Sequence, residues 1–453
     1  MIAPSSPKDS SRAEGSARFV RESMPTAGLF AGHDWRVSPA PFPLGPKIAQ
    51  ELETLGRVLL KFYRSINLLY RQSIEGKQPE WVARWLDQGK PAWLIELQRS
   101  HAFKSEVPRV IRPDLLLADH GLSVTELDSV PGGIGLTAWL NHTYSKIPSN
   151  GNGEQAQKVL GGANGMLDGF ASIFGDVAKV HIVVSDEAAT YRPEMTWVAG
   201  QIDAAKFQVH DASFTGFQDG DAVYRFFELF DLPNVPSAAR IFEMAAAKRI
   251  RLTPPPKPIF EEKMLFALLW NRHLQGFWHR ELGEGFFNRL RGLVPYTWLV
   301  DPSPLPPQAA IPQLELTDWT QLTGLSQKER DLILKVSGVS PHAWGARGVY
   351  LGSDLSHADW SAAIAKAIAG FSESPYVLQR YHKPGLVDSE WFDFDRNQVV
   401  PMKGRVRLCP YYFVSGDGDA ARTQLGGVLA TICPADKKII HGMTEAIFAP
   451  CCV

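Results

Sequence analysis

The chain has 453 residues, a formal net charge of −1 and 45% hydrophobic residues. That length suffices for two to four domains or one large composite enzyme. The near-neutral balance leaves no electrostatic footprint for nucleic acid or an acidic membrane surface, so neither is expected as a partner. No run of about 18 apolar residues is present, so no membrane span is expected.

The four cysteines are Cys409, Cys433, Cys451 and Cys452, with no CxxC spacing among them. Reduced, buried thiols are the expectation, and a zinc or disulfide framework is not. The N-terminal stretch is polar and mixed in charge and lacks the apolar core of a secretion signal. The cytoplasm is the expected compartment.

In chain order, residues 1–26 read as a disordered tail. From Lys47 the pattern is helical, with Leu52, Leu55, Leu59 and Phe62 on one face. Residues 81–97 continue as helix, broken by Gly89 and Pro91. Residues 112–128 (RPDLLLADHGLSVTELD) then predict a hairpin turning at Asp119, His120 and Gly121. Side chains at i and i+2 share a face of a strand. Arg112 with Asp114, and Glu126 with Asp128, therefore project from one face. Three carboxylates beside one guanidinium call for a hard divalent cation, with the Arg taking a phosphate edge. A plain surface hairpin with a salt bridge is the alternative. The glycine run at 131–135 is a turn whose amides can face an anion, without the Lys-Ser/Thr of a P-loop.

Residues 150–158 read as a polar linker. Strands at 180–184, 206–210 and 222–230, with a helix at 195–202, predict a parallel α/β subdomain. A stiff proline connector covers 253–258, and a long apolar helix is predicted to begin near Glu261, with Lys263 in its first turn. A cation there opposes the helix dipole, and a phosphate bound at the helix start would explain it. A second proline-rich connector covers 301–312. A strand at 332–338 carries Lys335, and a small flap follows with Gly345, Arg347 and Gly348. A helix at 359–371 leads to a strand at 376–381 that can offer backbone groups to an adenine edge. Arg405 and Arg407 lie on one strand face, with a partner strand at 426–432. There are no internal repeats, no HExxH, no nucleophile elbow and no dinucleotide fingerprint.

Taken together, these segments resemble the ATP-grasp ligases, in the circularly permuted form of the glutathionylspermidine synthetase family. That family places its metal-binding carboxylates before its nucleotide lysines, as here. Its Arg-x-Asp and Glu-x-Asn resemble Arg112-Pro113-Asp114 and Glu126-Leu127-Asp128. Its NKAILPLLW-like segment resembles residues 262–270, its lysine strand and flap resemble Lys335 and residues 344–348, and its YIxQ strand resembles Tyr376-Val377-Leu378-Gln379. The resemblance spans roughly residues 105–435 and leaves out the amidase half of bifunctional members.

The resemblance implies a mixed α+β and α/β architecture, with nucleotide held between two α+β lobes and an added α/β subdomain. The implied divisions are 27–150 for the N-terminal helices and metal hairpin, 151–252 for the substrate-side subdomain, 253–400 for the nucleotide lobe and 401–453 for completing strands. It implies ATP and Mg²⁺, with Asp114, Glu126 and Asp128 on the metal and Arg112 stabilising the transferring phosphoryl group. Lys263, Lys335, Gly345, Arg347, Gly348 and Gln379 are implied for the nucleotide. The implied reaction joins a small-molecule or peptide carboxylate to an amine through an acyl phosphate. Two departures stand out: Asp128 replaces the family's Asn, and Lys335-Val336 replaces its Lys-Pro in a longer flap containing His342. They motivate the alternative of a nucleotide-binding module without ligase turnover.

Overall fold

The structure, a computed structural model, describes residues 7–25, 35–147, 158–343, 347–440 and 445–453. Its first helix, α1 (Pro7–Glu22), stands where a disordered tail was expected. Polar composition prompted that expectation, but Ala17 and Val20 are fully buried in the cluster that also holds Val37 and Phe392. A polar helix can be held by a narrow apolar stripe when the tertiary fold supplies a surface for it. Two short strands follow, β1 (Arg36–Val37) and β2 (Phe42–Pro43).

Helix α2 (Pro46–Ile74) starts with proline in its first turn, where the missing N–H costs nothing. Its predicted face, Leu52, Leu55, Leu59 and Phe62, is buried. Helices α3 (Glu80–Asp87) and α4 (Ala92–Arg99) are separated at Gly89, whose φ is 74°. Strands β3 (Val110–Ala118) and β4 (Gly121–Asp128) form the predicted antiparallel hairpin. Helix α5 (Ile134–Tyr144) follows Gly133, and α6 (Gly165–Ser172) comes after the expected linker, most of which lies outside the described residues.

The predicted parallel sheet is present. It comprises β5 (Val180–Val184), β6 (Phe207–Asp211), β7 (Ala222–Phe226) and β8 (Arg251–Thr253), in the order β6-β5-β7-β8. Helices α7 (Arg192–Ile202) and α8 (Ala238–Ala246) connect its strands. Beyond it the long helix predicted from Glu261 does not form. A 3₁₀ turn covers Pro258–Glu261, Lys263 precedes the six-residue α9 (Leu265–Trp270), and a separate helix α10 (Gln275–Leu293) follows. The reason is tertiary. Glu262 bridges Gly338 in antiparallel fashion, and the Lys263 amide donates to the Ser337 carbonyl at 2.8 Å, so this backbone is spent on a distant strand. Lys263 thus stands before the short α9 and not in the first turn of a long helix, and its charge is met by Glu126.

The remaining elements are β9 (Thr297–Leu299), β10 (Leu332–Val336), β11 (Val349–Leu351), α11 (His357–Ala369), β12 (Tyr376–Arg380), β13 (Val387–Asp393), β14 (Gln398–Ser415), β15 (Arg422–Pro434) and β16 (Ile447–Cys452). Strands β11-β10-β12-β9 make an antiparallel sheet, with Trp360 and Ile364 of α11 in its apolar cluster. The largest sheet runs β1-β16-β15-β14-β3-β4, so strands near the C-terminus pair directly with the carboxylate hairpin. All four cysteines are buried, and none is in a disulfide. No helix among the described residues is long and apolar enough to cross a membrane.

Candidate functional site

A cavity of about 600 Å³ lies among the three sheets, lined from β3 and β4, from β10 and β12, and from the loop after β7. In the hairpin, Arg112 is directly opposite Asp128, and Asp114 opposite Glu126. Register partners share a face, so the i, i+2 pattern on each strand becomes one four-residue patch. All four residues line the cavity.

Within the patch, Arg112 Nε donates to Asp114 Oδ1 at 2.9 Å, its Nη2 meets Asp128 Oδ2 at 2.9 Å, and its Nη1 donates to the Gly132 carbonyl at 3.0 Å. Arg407 on β14 donates to the other Asp114 oxygen at 3.0 Å. Burial raises the Asp114 pKa, but the two guanidiniums overcome it and hold the carboxyl below its usual range. Asp128 is different. Burial, with Glu126 adding to it, pushes its carboxyl up to about 6 despite Arg112. One Asp128 oxygen accepts from the Val130 amide at 2.8 Å.

The two lysines reach the same cavity from separate segments. Lys263 Nζ meets Glu126 Oε1 at 2.7 Å and donates to the Ala343 carbonyl at 3.0 Å. Burial opposes its charge, and the Glu126 carboxylate more than offsets this, so its pKa is raised. Lys335, central in β10, donates to the Thr125 carbonyl at 3.0 Å and to Gln379 Oε1 at 2.9 Å. Burial, with Lys263 adding to it, lowers its pKa to about 8, against the pull of Glu126. Gln379 on β12 is oriented in turn by a bond from its Nε2 to Thr297 Oγ1 at 3.0 Å.

The flap divides. Gly345 lies outside the described residues. Arg347 is turned to the α/β subdomain, where Nη1 meets Glu187 Oε1 at 3.0 Å, and it does not line the cavity. Gly348 is a packing position, since a Cβ there would lie 2.5 Å from the His342 carbonyl oxygen.

The cavity also contains groups that the sequence reasoning did not assign to a site. Arg407 was placed on a strand face with Arg405, but only Arg407 meets Asp114; Arg405 is bonded to the carbonyls of Ala435 and Pro384. Glu194 and Glu228 come from the α/β subdomain, and Glu261 from the turn before Lys263. Burial, then Glu261 and Asp128, holds the Glu228 carboxyl well above its usual range. Burial pushes Glu194 up to about 7, although the Leu136 amide donates to it at 3.1 Å. Arg225 is fully buried behind this wall and holds Glu261 at 2.6 Å. Of the three glutamates, only Glu228 follows a parallel strand, where α/β sheets place ligands; Glu194 is on α7 and Glu261 in the turn before Lys263.

No group of three or more His, Cys, Asp or Glu among the described residues is arranged to hold a metal ion. The three-carboxylate cage is therefore not formed: Asp114 is taken by two arginines, Glu126 faces Lys263 and Asp128 faces Arg112. Mg²⁺ ordinarily needs only one or two carboxylates when phosphates complete its shell. Glu126 and Asp128, both on the cavity face of β4, have the donor chemistry for that smaller role.

No family model matches the chain, and no curated protein matches it. Among solved structures, a glutathione synthetase-like effector from Globodera pallida is similar, with a TM-score of 0.56 and 11% identity over 98% of this chain and 96% of that chain. A protein from Methylobacillus flagellatus described as a candidate gamma-glutamylcysteine synthetase is similar with a TM-score of 0.39 and 10% identity, over 87% of this chain and 88% of that chain. The first likeness shows the fold: a glutathione synthetase-like mixed α+β architecture over nearly the whole chain.

Proposed function

We propose that this chain is an ATP-dependent ligase that joins a carboxylate to an amine through an acyl phosphate. The observation that carries the reading is convergence: the Arg112–Asp128 hairpin patch, Lys263, Lys335 and Gln379 meet in one cavity from separate parts of the sequence. Together they make a charged cradle suited to a nucleoside triphosphate. The hairpin precedes the lysines in the chain, and we read that order as the circularly permuted arrangement of the glutathionylspermidine synthetase family.

In this reading Lys263 and Lys335 hold the nucleotide phosphates, and Gln379 lines the same cavity from β12, a strand paired on both sides by β10 and β9, so its side chain and not a free strand edge faces the ligand. Mg²⁺, held by Glu126 and Asp128, would supply charge neutralisation at the phosphates. Asp114, gripped by Arg112 and Arg407, orients both guanidiniums toward the transferring group. A substrate carboxylate oxygen attacks the γ-phosphorus and ADP leaves. The neutral amine nitrogen then attacks the acyl carbon, a C–N bond forms, the C–O bond to phosphate breaks, and the proton lost from nitrogen leaves with the phosphate. On the subdomain side of the cavity Glu261 is neutralised by Arg225, and burial holds the Glu228 carboxyl well above its usual range. Val339 and Ala343, which line the cavity beside Lys263, would help keep water from the acyl phosphate.

The test is ADP release with Mg·ATP across a panel of acids and amines, with Glu126→Gln as the matched control. Acid- and amine-dependent release that Glu126→Gln abolishes is expected. Equal release by the parent and Glu126→Gln would remove that carboxylate from the site. A second reading, nucleotide binding without turnover, is favoured by the pairing of Asp114, Glu126 and Asp128 each with a protein cation. Nucleotide binding with no release under any acid–amine pair would select it.

A further inference from the structure

Glu262 lies between two residues that line the cavity, Glu261 and Lys263, yet faces away from it. Its side chain is 1% exposed and meets Lys90 Nζ, also 1% exposed, at 2.5 Å. Its other oxygen accepts from Ser337 Oγ. The same Ser337 hydroxyl accepts from the Met264 amide at 2.9 Å, and the Ser337 carbonyl accepts from the Lys263 amide at 2.8 Å. Ser337 lies two residues after Lys335 in the strand direction of β10. The backbone holding one lysine is thus stapled to the strand holding the other. The third arm, Lys90, comes from the α3–α4 turn, where Gly89 presses on the Glu373 backbone so closely that a Cβ would lie 1.9 Å from its carbonyl oxygen.

We propose that Glu262 is a positioning residue: by binding Lys90 and Ser337 together it sets Lys263 and Lys335 at the separation that grips the phosphates of one nucleotide. The inference rests on the nucleotide reading above. A buried ion pair is a poor way to add stability, because both charges lose their hydration. What it supplies here is a fixed relation among three segments: the α3–α4 turn, the Lys263 backbone and the end of β10. The alternation is built into consecutive residues, with Glu261 directed to Arg225, Glu262 to the staple and Lys263 to Glu126. No single one of the three can move without carrying the other two.

The test uses the full chain and the double variant Lys90→Met with Glu262→Gln, which leaves no unpaired buried charge. Ser337→Ala, which removes only the shared hydroxyl, is the milder second variant. Affinities for ATP, ADP and adenosine, with Mg²⁺, are measured calorimetrically well below each protein's melting temperature. Expected is a loss of about tenfold or more for ATP and ADP in the double variant, a smaller loss in Ser337→Ala, and unchanged adenosine affinity. Unchanged ATP affinity, or an equal loss for adenosine and ATP, overturns the proposal, since the staple would then be merely structural. If the double variant does not fold, Ser337→Ala decides by the same criterion. A parent protein that binds neither ATP nor ADP overturns the nucleotide reading itself, a failure distinct from one confined to the variants.

Discussion

Lys335 and Asp128 carry opposite perturbations, and together they set a pH window. The lysine is pushed down to about 8 by burial and by Lys263, and the aspartate is pushed up to about 6 by burial and by Glu126. Phosphate binds the ammonium form, so nucleotide affinity should fall as pH rises through the Lys335 value, and binding near that pH should take up a proton. A cation binds the carboxylate form, so Mg²⁺-dependent affinity should fall as pH drops through the Asp128 value. Titration calorimetry at about pH 5, 7 and 9 should therefore show the tightest Mg·ATP binding at the middle value. A flat profile would mean that neither group touches the ligand. The lysine can also be tested alone: Lys335→Met should weaken ATP binding by roughly 1.5–3 kcal/mol, the scale of a charge-assisted contact. Unchanged affinity would take Lys335 out of the site.

Between elements, the contact of α7 with the start of α5 makes its own prediction. Glu194 is buried, accepts from the Leu136 amide, and has its pKa raised from 4.5 to about 7. The folded protein therefore keeps a proton that the unfolded chain releases in that interval. The group's contribution is fully present below the unfolded value and is lost as pH rises through the folded one. Glu194→Gln keeps the acceptor and removes the titration. It should stabilise the ligand-free protein by about 1–3 kcal/mol at pH 8, with little effect near pH 4. Denaturant melts at the two pH values check this, and a pH-independent difference would show that Glu194 is not the titrating group. The same scale explains which elements were legible. The hairpin announced itself because a tight turn and i, i+2 charges are local signals, and register then placed them on one face. The helix predicted at Lys263 failed because Gly338, remote in sequence, claims its backbone.

Over the whole molecule, the cavity draws on all three sheets, so a ligand that fills it binds the folded arrangement and not the open chain. Mg·ATP at a hundred times its dissociation constant should add ~2.7 kcal/mol to unfolding free energy by mass action. A thermal melt with and without Mg·ATP measures this, with adenosine as the phosphate-free comparison. No shift at saturating nucleotide would contradict the proposed site. The long-range pairing of β14 with β3 and the staple between Glu262 and Ser337 also mean that the cavity walls are assembled from distant parts of the chain. Binding and global stability should therefore report on each other.

The sequence by itself determined the amphipathic face of α2, the β3–β4 hairpin with its four charged residues, the parallel strands of the α/β subdomain, and the strands bearing Lys335 and Gln379. Each rests on periodicity or turn chemistry within a short window, where neighbouring residues alone set the conformation. Only the tertiary structure decided that α1 is ordered, that Lys263 lies outside a helix, that Arg407 joins Asp114 while Arg405 does not, and that Glu194, Glu228 and Glu261 wall one side of the cavity. It also decided that Arg347 turns to Glu187 and that Asp114, Glu126 and Asp128 are each met by a protein cation. These outcomes depend on which distant side chain arrives within hydrogen-bond reach. Buried charges take their partners, and hence their pKa values, from that arrival and not from their neighbours in sequence.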